Sequence, residues 1–270
     1  MHIHAFSPFE VWYGAAKTKQ CYREFLQDLK DCGLGSMPGT AAEILDTDIR
    51  QQLTRNKLST EKWVEVIKTA HEVGIPTTAT IMYGHIDGPE HWAAHIALLR
   101  DIQKETGGFT ELVPLSFVHS ESPLYAMNPT TVRPGPTDLE VRKMHAVSRI
   151  MLHGWIDNIQ VSWTKLGAEF ASDLLQCGVN DLGGTLMNES ISRSAGAAHG
   201  QEITAYEMCR IIQEAGRQPV QRNTIYGVID DFSKGLPEQQ TPLVERVNSD
   251  FLTFLDESEN APAQMAGGGV

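Results

Sequence analysis

The chain has 270 residues, of which 41% are hydrophobic and 21% charged, a balance typical of a globular protein large enough for one α/β core. Its formal net charge of -12 argues against nucleic acid and anionic membrane surfaces as partners, because phosphates would be repelled. No apolar run approaches the roughly 20 residues that span a bilayer and the first ten residues resemble no signal peptide, so we expect a cytoplasmic protein.

One pattern recurs along the chain: an amphipathic helix ends at a glycine, and a short apolar or β-branched segment follows. Glycine is favoured there because the residue after a helix often needs a positive φ. This pattern, with a further segment at the start, predicts six strands, at residues 2–6, 34–37, 75–82, 109–117, 156–163 and 179–182. Strands that alternate with helices indicate a parallel sheet.

Cap signals open the predicted helices between these strands. Ser7-Pro8 precedes the first helix, and similar signals lie at residues 59–62, 88–90, 136–138 and 204–207. Three helices then carry stripes at helical spacing: Trp63, Val66, Ile67 and Ala70; Trp92, His95, Ile96 and Leu99; and Leu139, Met144, Val147 and Ile150.

The strand count favours one fold class. No Gly-rich dinucleotide fingerprint follows any strand, which disfavours an open, doubly wound sheet. We therefore predict an α/β fold of the (β/α)8 TIM-type barrel, entered at its third strand and lacking its first two βα units. Residues 1–256 would form this partial barrel as one domain, and residues 257–270 a disordered tail.

Polar residues occur at the end of every predicted strand, where a parallel barrel carries its reacting groups. This suits a polar cavity rather than a sealed core. The residues predicted to bind a small substrate are His4, Ser7, Thr78, Thr80, Glu111, Gln160, Ser162, Asp181, Thr185, Glu189, His199 and Arg222. Glu111, Gln160 and Asp181 are favoured, because buried carboxylates and amides need a partner, whereas a strand threonine more often bonds to backbone. No catalytic residue stands out.

Metal-binding patterns are weak. Cys21, Cys32, Cys177 and Cys209 are scattered, so we interpret them as free thiols. The pair of histidines at positions 91 and 95 has zinc-like spacing, but its helix is predicted to lie on the outside of the fold. We therefore predict no metal site.

Six stretches carry a more specific pattern: residues 2–8 (HIHAFSP), 35–45 (GSMPGTAAEIL), 80–85 (TIMYGH), 108–117 (GFTELVPLSF), 180–187 (NDLGGTLM) and 194–200 (SAGAAHG). Together they closely resemble the second subunit of FO synthase, a family of radical S-adenosylmethionine barrel proteins, over about residues 1–230. The resemblance implies that a [4Fe-4S] cluster cleaves S-adenosylmethionine to a radical that attacks L-tyrosine. The 4-hydroxybenzyl unit then joins 5-amino-6-(D-ribitylamino)uracil, and subunit 1 of FO synthase completes the precursor of coenzyme F-420.

The resemblance also implies roles for individual residues. By motif position, Glu43, Tyr83, Gly84, Phe117 and Val118 would contact S-adenosylmethionine. One departure is clear: the family holds its cluster with Cys-x3-Cys-x2-Cys, and this sequence lacks that motif.

Four interpretations therefore stay open. The chain is an active transferase whose first two units lie upstream of Met1, or an inactive or split-gene fragment without a cluster. It is otherwise a menaquinone-pathway relative similar to aminofutalosine synthase, or a metal-independent barrel that binds a small polar ligand.

Overall fold

The computed structural model describes residues 1–53, 58–186 and 189–241, which form a mixed α/β fold. The strands are β1 Ile3–His4, β2 Leu34–Ser36, β3 Thr77–Tyr83, β4 Phe109–Ser116, β5 Gln221–Arg222 and β6 Val228–Asp230. The helices are α1 Pro8–Thr18, α2 Tyr22–Asp31, α3 Thr47–Leu53, α4 Thr60–Glu72, α5 Pro89–Thr106, α6 Pro123–Met127, α7 Asp138–Leu152, α8 Trp163–Leu166, α9 Ala168–Leu174, α10 Ile191–Ser194 and α11 Ala205–Glu214. The predicted domain boundary at residue 256 and the predicted tail at 257–270 lie outside the described residues.

Side-chain caps begin the helices where the sequence predicted them. At α1, the Ser7 hydroxyl accepts from the Glu10 amide at 3.4 Å, and the Glu10 carboxylate accepts from the Ser7 amide at 2.7 Å. Thr137 and Glu140 form the same capping box at α7. α5 ends at Gly107, which has a φ of 65°. These predicted helix starts and ends are confirmed, and they follow from satisfying the free groups at helix termini.

Parallel pairing joins the predicted strand segments in chain order. β1 pairs with β2, β3 pairs with β4, and a parallel bridge between Met37 and Thr77 connects the two pairs. The segments predicted at 156–163 and 179–182 pair only through single parallel bridges. They are bridged segments rather than full strands, so a six-stranded barrel stays a prediction.

Side chains interrupt the ladder between the last two segments. The Ile159 amide donates to Oδ1 of Asn180 at 2.8 Å, and Arg149 Nη2 donates to the same oxygen at 2.7 Å. A side-chain amide thereby occupies a donor that a regular strand would pair with a backbone carbonyl. The shortened strands follow from this local competition.

The chain returns to the sheet through an antiparallel hairpin that the sequence did not predict. β5 pairs with β6, with Gln221 opposite Asp230 and Arg222 opposite Val228. The strands are two and three residues long, which is too short for a period-2 pattern to be recognised. The hairpin brings Arg222 to the sheet interior.

Alternation along β3 separates a core-facing side from an opposite, polar side. Ala79, Ile81 and Tyr83 are fully buried in a cluster that includes Trp63 of α4 and Leu99 of α5. The intervening residues, among them two threonines, face the other way because successive strand side chains alternate. The predicted core stripes of α4 and α5 are confirmed by their burial.

The predicted stripe of α7 is correct at Met144, which is 2% exposed, and wrong at its two ends. Leu139 and Ile150 are 61% and 76% exposed, whereas His145 and Ser148 are fully buried. The buried side of α7 faces α5 and β4 and includes Met144 and His145, so it is offset from Leu139 and Ile150. No helix among the described residues has the length and apolarity that crossing a bilayer requires.

Candidate substrate-binding site

Two strand threonines support the turn that follows β2. Thr78 Oγ1 accepts from the Gly39 amide at 2.9 Å, and Thr80 Oγ1 donates to the Gly39 carbonyl at 2.8 Å. A Cβ on Gly39 would collide with the backbone of Thr78, so glycine is required by this close approach. The threonine hydroxyls thus position a loop, and their predicted contact with substrate stays a prediction.

An ionic cluster joins four of the predicted residues in the sheet interior. Gln160 Nε2 donates to Glu111 Oε2 at 3.1 Å. Arg222 Nε donates to Asp181 Oδ2, and Arg222 Nη2 lies 3.6 Å from Glu111 Oε2. Tyr226 completes the group, with the Arg222 guanidinium 4.2 Å from its ring centroid. We call these five residues the ionic layer.

The ionic layer holds two carboxylates and one guanidinium. Burial and the neighbouring Asp181 raise the pKa of Glu111 above its usual value, and its hydrogen bonds with Tyr226 and Gln160 and the charge of Arg222 counter this. Glu111 is the third residue of β4, so the layer lies in the amino-terminal half of that strand. This is some distance from the carboxyl ends where barrel enzymes usually place their chemistry.

A cavity of about 1030 Å³ opens beside the ionic layer. It is lined by the segment 178–185, by α11 and by the β5–β6 hairpin, and Asp181, Arg222 and Tyr226 reach it. Its polar lining and size are within the range of a site for a small molecule.

The loop 39–45 after β2 is held in a strained conformation. Ala41 and Glu43 have φ values of 61° and 41°, in the left-handed region that is costly for residues other than glycine. Arg50 is 4% exposed and its guanidinium donates to the carbonyls of Ala41, Ala42 and Leu58. The sequence analysis did not single out Arg50, because an arginine on the polar helix α3 resembles an ordinary surface residue.

His95 fastens the same loop to β3. Its Nδ1 accepts from the Leu45 amide at 3.0 Å, and its Nε2 lies 3.0 Å from the Thr80 carbonyl. Complete burial lowers the pKa of His95 to about 3, so the ring is neutral and its tautomer is set by these two bonds. The half-buried Glu43, which was predicted to bind a ribose, is therefore carried by a rigid loop.

The turn after β3 is organised around a buried carboxylate. Asp87 accepts from the Gly84 amide at 2.9 Å and from the His85 amide at 2.7 Å, and Trp92 Nε1 also donates to it. Hydrogen bonds and the charge of His85 hold the pKa of Asp87 well below its usual value, against the opposing effect of burial. The amide of Gly84, a predicted cofactor contact, thus donates its hydrogen bond to Asp87 within the turn.

Tyr83 does not reach a ligand-accessible surface. Its side chain is fully buried, with its ring centroid 5.3 Å from that of Trp92 and its hydroxyl accepting from Ser116 Oγ at 3.3 Å. Its carbonyl accepts from the Phe117 amide at 2.9 Å. The prediction of Tyr83 as a cofactor contact therefore conflicts with its core position, because strand alternation points it at the helices. Val118 is half-buried and remains accessible.

Three other predicted residues lie apart from the ionic layer. The hydroxyl of Ser7 caps α1 with Glu10, and His4 Nδ1 is 2.6 Å from Ser36 Oγ. Thr185 is exposed and its carbonyl accepts from the Ile203 amide at 2.9 Å. The first two are explained by local structure.

A second polar group lies at the carboxyl end of the segment 156–163. Lys165 Nζ donates to Ser192 Oγ at 2.9 Å, and Glu189 accepts from the Ser192 amide at 2.9 Å. Thr164 Oγ1 lies 3.2 Å from Ser162 Oγ and 3.4 Å from Ser192 Oγ. We call these five residues the mouth group. Ser162 and Glu189 were predicted, whereas Thr164, Lys165 and Ser192 were missed, although Thr164 and Lys165 directly follow a predicted strand.

The loop after residue 189 covers the mouth group. A Cβ on Gly167 would lie 3.1 Å from His199 Nδ1, so the predicted His199 lies over the junction of α8 and α9. The Glu121 amide donates to the Ala195 carbonyl at 3.1 Å, which ties this loop to the one after β4. Loops from three neighbouring segments therefore meet here.

The sequence is similar to known proteins over much of its length. Residues 106–235 match the model of the CofH/MqnC C-terminal region. The chain is 54% identical over 231 residues to the 5-amino-6-(D-ribitylamino)uracil--L-tyrosine 4-hydroxyphenyl transferase of Methanothermobacter thermautotrophicus, covering 86% of this chain and 62% of that protein. It is 51% identical over 230 residues to the same-named enzyme of Methanocaldococcus jannaschii, covering 85% and 64%.

The chain is also similar to a longer relative. It is 54% identical over 228 residues to the FO synthase of Mycobacterium leprae, covering 84% of this chain and 26% of that protein. The chain thus spans 62% and 64% of the two transferases and 26% of the FO synthase.

Proposed function

The chain is a homologue of the FO synthases and of the tyrosine 4-hydroxyphenyl transferases that share their sequence, and on this premise we propose that it binds the substrates of that transfer reaction. In that reaction the 4-hydroxybenzyl unit of L-tyrosine is joined to 5-amino-6-(D-ribitylamino)uracil. The observation that carries the proposal is the identity of 54% over 231 residues to a transferase of that name.

The proposal includes the barrel. The support for it is that β1 to β4 and the segments 156–163 and 179–182 pair in parallel in chain order, through two ladders and single bridges. A (β/α)8 barrel that lacks its first two βα units has this arrangement. Residues 1–256 would make up this partial radical S-adenosylmethionine barrel.

The interior side chains are suited to polar substrates. Carboxylates and amides such as Glu111, Asp181 and Gln160 accept and donate the hydrogen bonds that an aminouracil and a ribityl chain present. The full proposed set is His4, Ser7, Thr78, Thr80, Glu111, Gln160, Ser162, Asp181, Thr185, Glu189, His199 and Arg222. The matched family region contains the last eight of these residues.

The cluster that this chemistry uses does not fit the described residues. No group of three or more His, Cys, Asp or Glu side chains in the described part of the chain could hold a metal ion. Cys21 and Cys32 are exposed, Cys177 is half-buried and Cys209 is buried. We derive no step through a [4Fe-4S] cluster and assign to these residues only binding and positioning.

S-adenosylmethionine fits better. Loop 39–45 presents Glu43 from a rigid, strained backbone, which is typical of ligand-holding segments. Glu43, Gly84, Phe117 and Val118 are the proposed contacts, with Tyr83 contributing at most through its backbone. S-adenosylmethionine would supply the radical when cleaved by a partner cluster.

Subunit 1 of FO synthase is the proposed functional partner. In the mycobacterial FO synthase the matched stretch is 26% of the chain, which leaves room there for a second catalytic unit.

Equilibrium binding tests the proposal directly. The full chain, prepared anaerobically, is titrated with 5-amino-6-(D-ribitylamino)uracil and L-tyrosine by calorimetry, with aminofutalosine as the comparison ligand. We expect saturable binding of the first two ligands and none of the third. Preferential binding of aminofutalosine would contradict the proposal, as would failure to bind the ribitylaminouracil.

A further inference from the structure

Lys165 occupies an unusual electrostatic position. It lies in α8, directly after the bridged segment 156–163, on the side of the sheet where the carboxyl ends of the parallel segments meet. Its side chain is half-buried and Nζ donates to the hydroxyl of Ser192, which is 3% exposed. Burial lowers the pKa of Lys165, so its charge is poorly solvated.

Lys165 has no direct counter-ion in the part of the chain that the structure describes. Among the described residues no carboxylate forms a salt bridge with Nζ, in contrast to Arg222, which contacts two. Glu189 is the acidic group that acts on Lys165 through space, but its carboxylate oxygens accept from the Ser192 amide at 2.9 and 3.1 Å. An incompletely compensated, half-buried ammonium favours binding of an anion.

Three hydroxyl groups beside Lys165 could donate hydrogen bonds to the oxygens of a bound anion. Ser192, Thr164 and Ser162 form a continuous run with oxygen separations of 3.4 and 3.2 Å. Ser162 lies two residues after Gln160, so by strand alternation it faces the same interior as the ionic layer. The run therefore joins Lys165 to Ser162, at the carboxyl end of the segment that carries Gln160.

The chemistry of this group selects a carboxylate. One ammonium with adjacent hydroxyls matches a singly charged anion, whereas phosphate sites usually combine several cations or a backbone nest. Of the two proposed substrates, L-tyrosine carries a carboxylate and the ribitylaminouracil carries none.

We propose that Lys165 and Ser192 bind the α-carboxylate of the amino-acid substrate at the mouth of the sheet. This assignment rests on the proposed function and names the residues that would recognise its amino acid. It predicts that affinity for tyrosine depends on its carboxylate and on Lys165 together.

A binding matrix tests the proposal. The full chain and its Lys165→Met variant are titrated with L-tyrosine, 3-(4-hydroxyphenyl)propanoate, tyramine and S-adenosylmethionine. Lys143→Met, at an exposed lysine of α7, is the matched control. We expect Lys165→Met to weaken the binding of L-tyrosine and of the propanoate by on the order of 10- to 100-fold, which corresponds to the loss of one charged hydrogen bond. The affinity for tyramine, which has no carboxylate, should not change. Lys165→Arg should restore part of the loss.

Several results would overturn the assignment. Equal weakening of tyramine and L-tyrosine would indicate a general structural effect, and a loss confined to S-adenosylmethionine would assign the carboxylate of that cofactor instead. If Lys165→Met does not fold, the wild-type chain decides alone: it must bind L-tyrosine more tightly than L-tyrosine methyl ester.

The outcome is separable from that of the proposed function. The chain could bind the propanoate in a Lys165-dependent way and yet fail to bind the ribitylaminouracil. That result would contradict the transferase function and support the carboxylate site. Binding of both proposed substrates with unchanged L-tyrosine affinity in Lys165→Met would support the proposed function and contradict the carboxylate site.

Discussion

The ionic layer and the mouth group differ in how their charges are compensated. In the ionic layer the guanidinium of Arg222 contacts both Asp181 and Glu111, so its cation is satisfied by two anions. In the mouth group Lys165 has a hydroxyl partner and no carboxylate salt bridge among the described residues. We interpret a charge that is paired inside the protein as structural. A half-buried charge that is incompletely paired favours the binding of an oppositely charged ligand.

The ionic layer and the mouth group also lie at different positions along the parallel segments. Glu111 lies near the start of β4, where Arg222 joins the β5–β6 hairpin to the interior. The mouth group lies after the segment 156–163, where three loops meet. We infer that the ionic layer closes and supports the site from one end and that the mouth group recognises ligand at the other.

Removing the cation of the ionic layer should have the largest effect. Arg222→Met would leave two nearly buried carboxylates without their cation, at a cost of roughly 3 kcal/mol in the free energy of unfolding. Urea denaturation followed by circular dichroism measures this, with the exposed Arg193→Met as control. A loss no larger than that of the control would mean that the ionic layer does not support the fold.

Removing the cation of the mouth group should have a smaller effect of opposite sign. Lys165→Met replaces a half-buried ammonium by an apolar chain of similar length, which we expect to stabilise the ligand-free chain by about 1 kcal/mol. The same denaturation experiment applies, and Lys143→Met should change the free energy of unfolding by less than about 0.5 kcal/mol. Marked destabilisation by Lys165→Met would remove the distinction between the two regions.

The pH dependence of stability should show the smallest difference. Because the folded pKa of Glu111 is raised, the folded chain binds the proton more tightly, and this contribution to stability is lost as pH rises from the unfolded pKa of about 4.3 through the folded value. In Glu111→Gln the free energy of unfolding should therefore decline less steeply with pH than in the wild-type chain. If Glu111→Gln leaves the curve between pH 4 and 7 unchanged, the pKa of Glu111 does not differ between the folded and unfolded chain.

The turn of Asp87 gives a contrasting pH response. Its folded pKa is depressed, so its contribution to stability is present above the unfolded pKa of about 3.9 and is lost as pH falls below that value. Asp87→Asn should therefore reduce stability at pH 7 and make the acid limb of the curve shallower. A matched Asp48→Asn variant, at an exposed site in α3, tests whether the effect belongs to the turn.

Much of the local structure was predictable from short patterns. Ser7, Thr137 and Gly107 mark helix ends because unpaired backbone groups at those ends require specific side chains or a positive φ. The stripe around Trp63 was predicted from its helical spacing, and the structure buries it on one face of α4. The interior set of Glu111, Gln160 and Asp181 was predicted from polarity on strands and is joined in the structure.

Other features depended on contacts between distant residues. The exposure of Leu139 and the burial of His145 follow from which side of α7 meets the sheet. The core position of Tyr83 follows from the register of β3, which its motif did not reveal.

The sequence by itself determined several helix ends, the order of the parallel segments and the resemblance to FO synthase, because caps, periodicity and motifs are local. Only the tertiary structure decided that Arg222 returns to Glu111 and Asp181 and that Lys165 meets Ser192 without a salt-bridge partner among the described carboxylates. Charge compensation depends on distances of a few ångströms between residues far apart in the chain, and the Coulomb energy and desolvation that it balances exist only after folding.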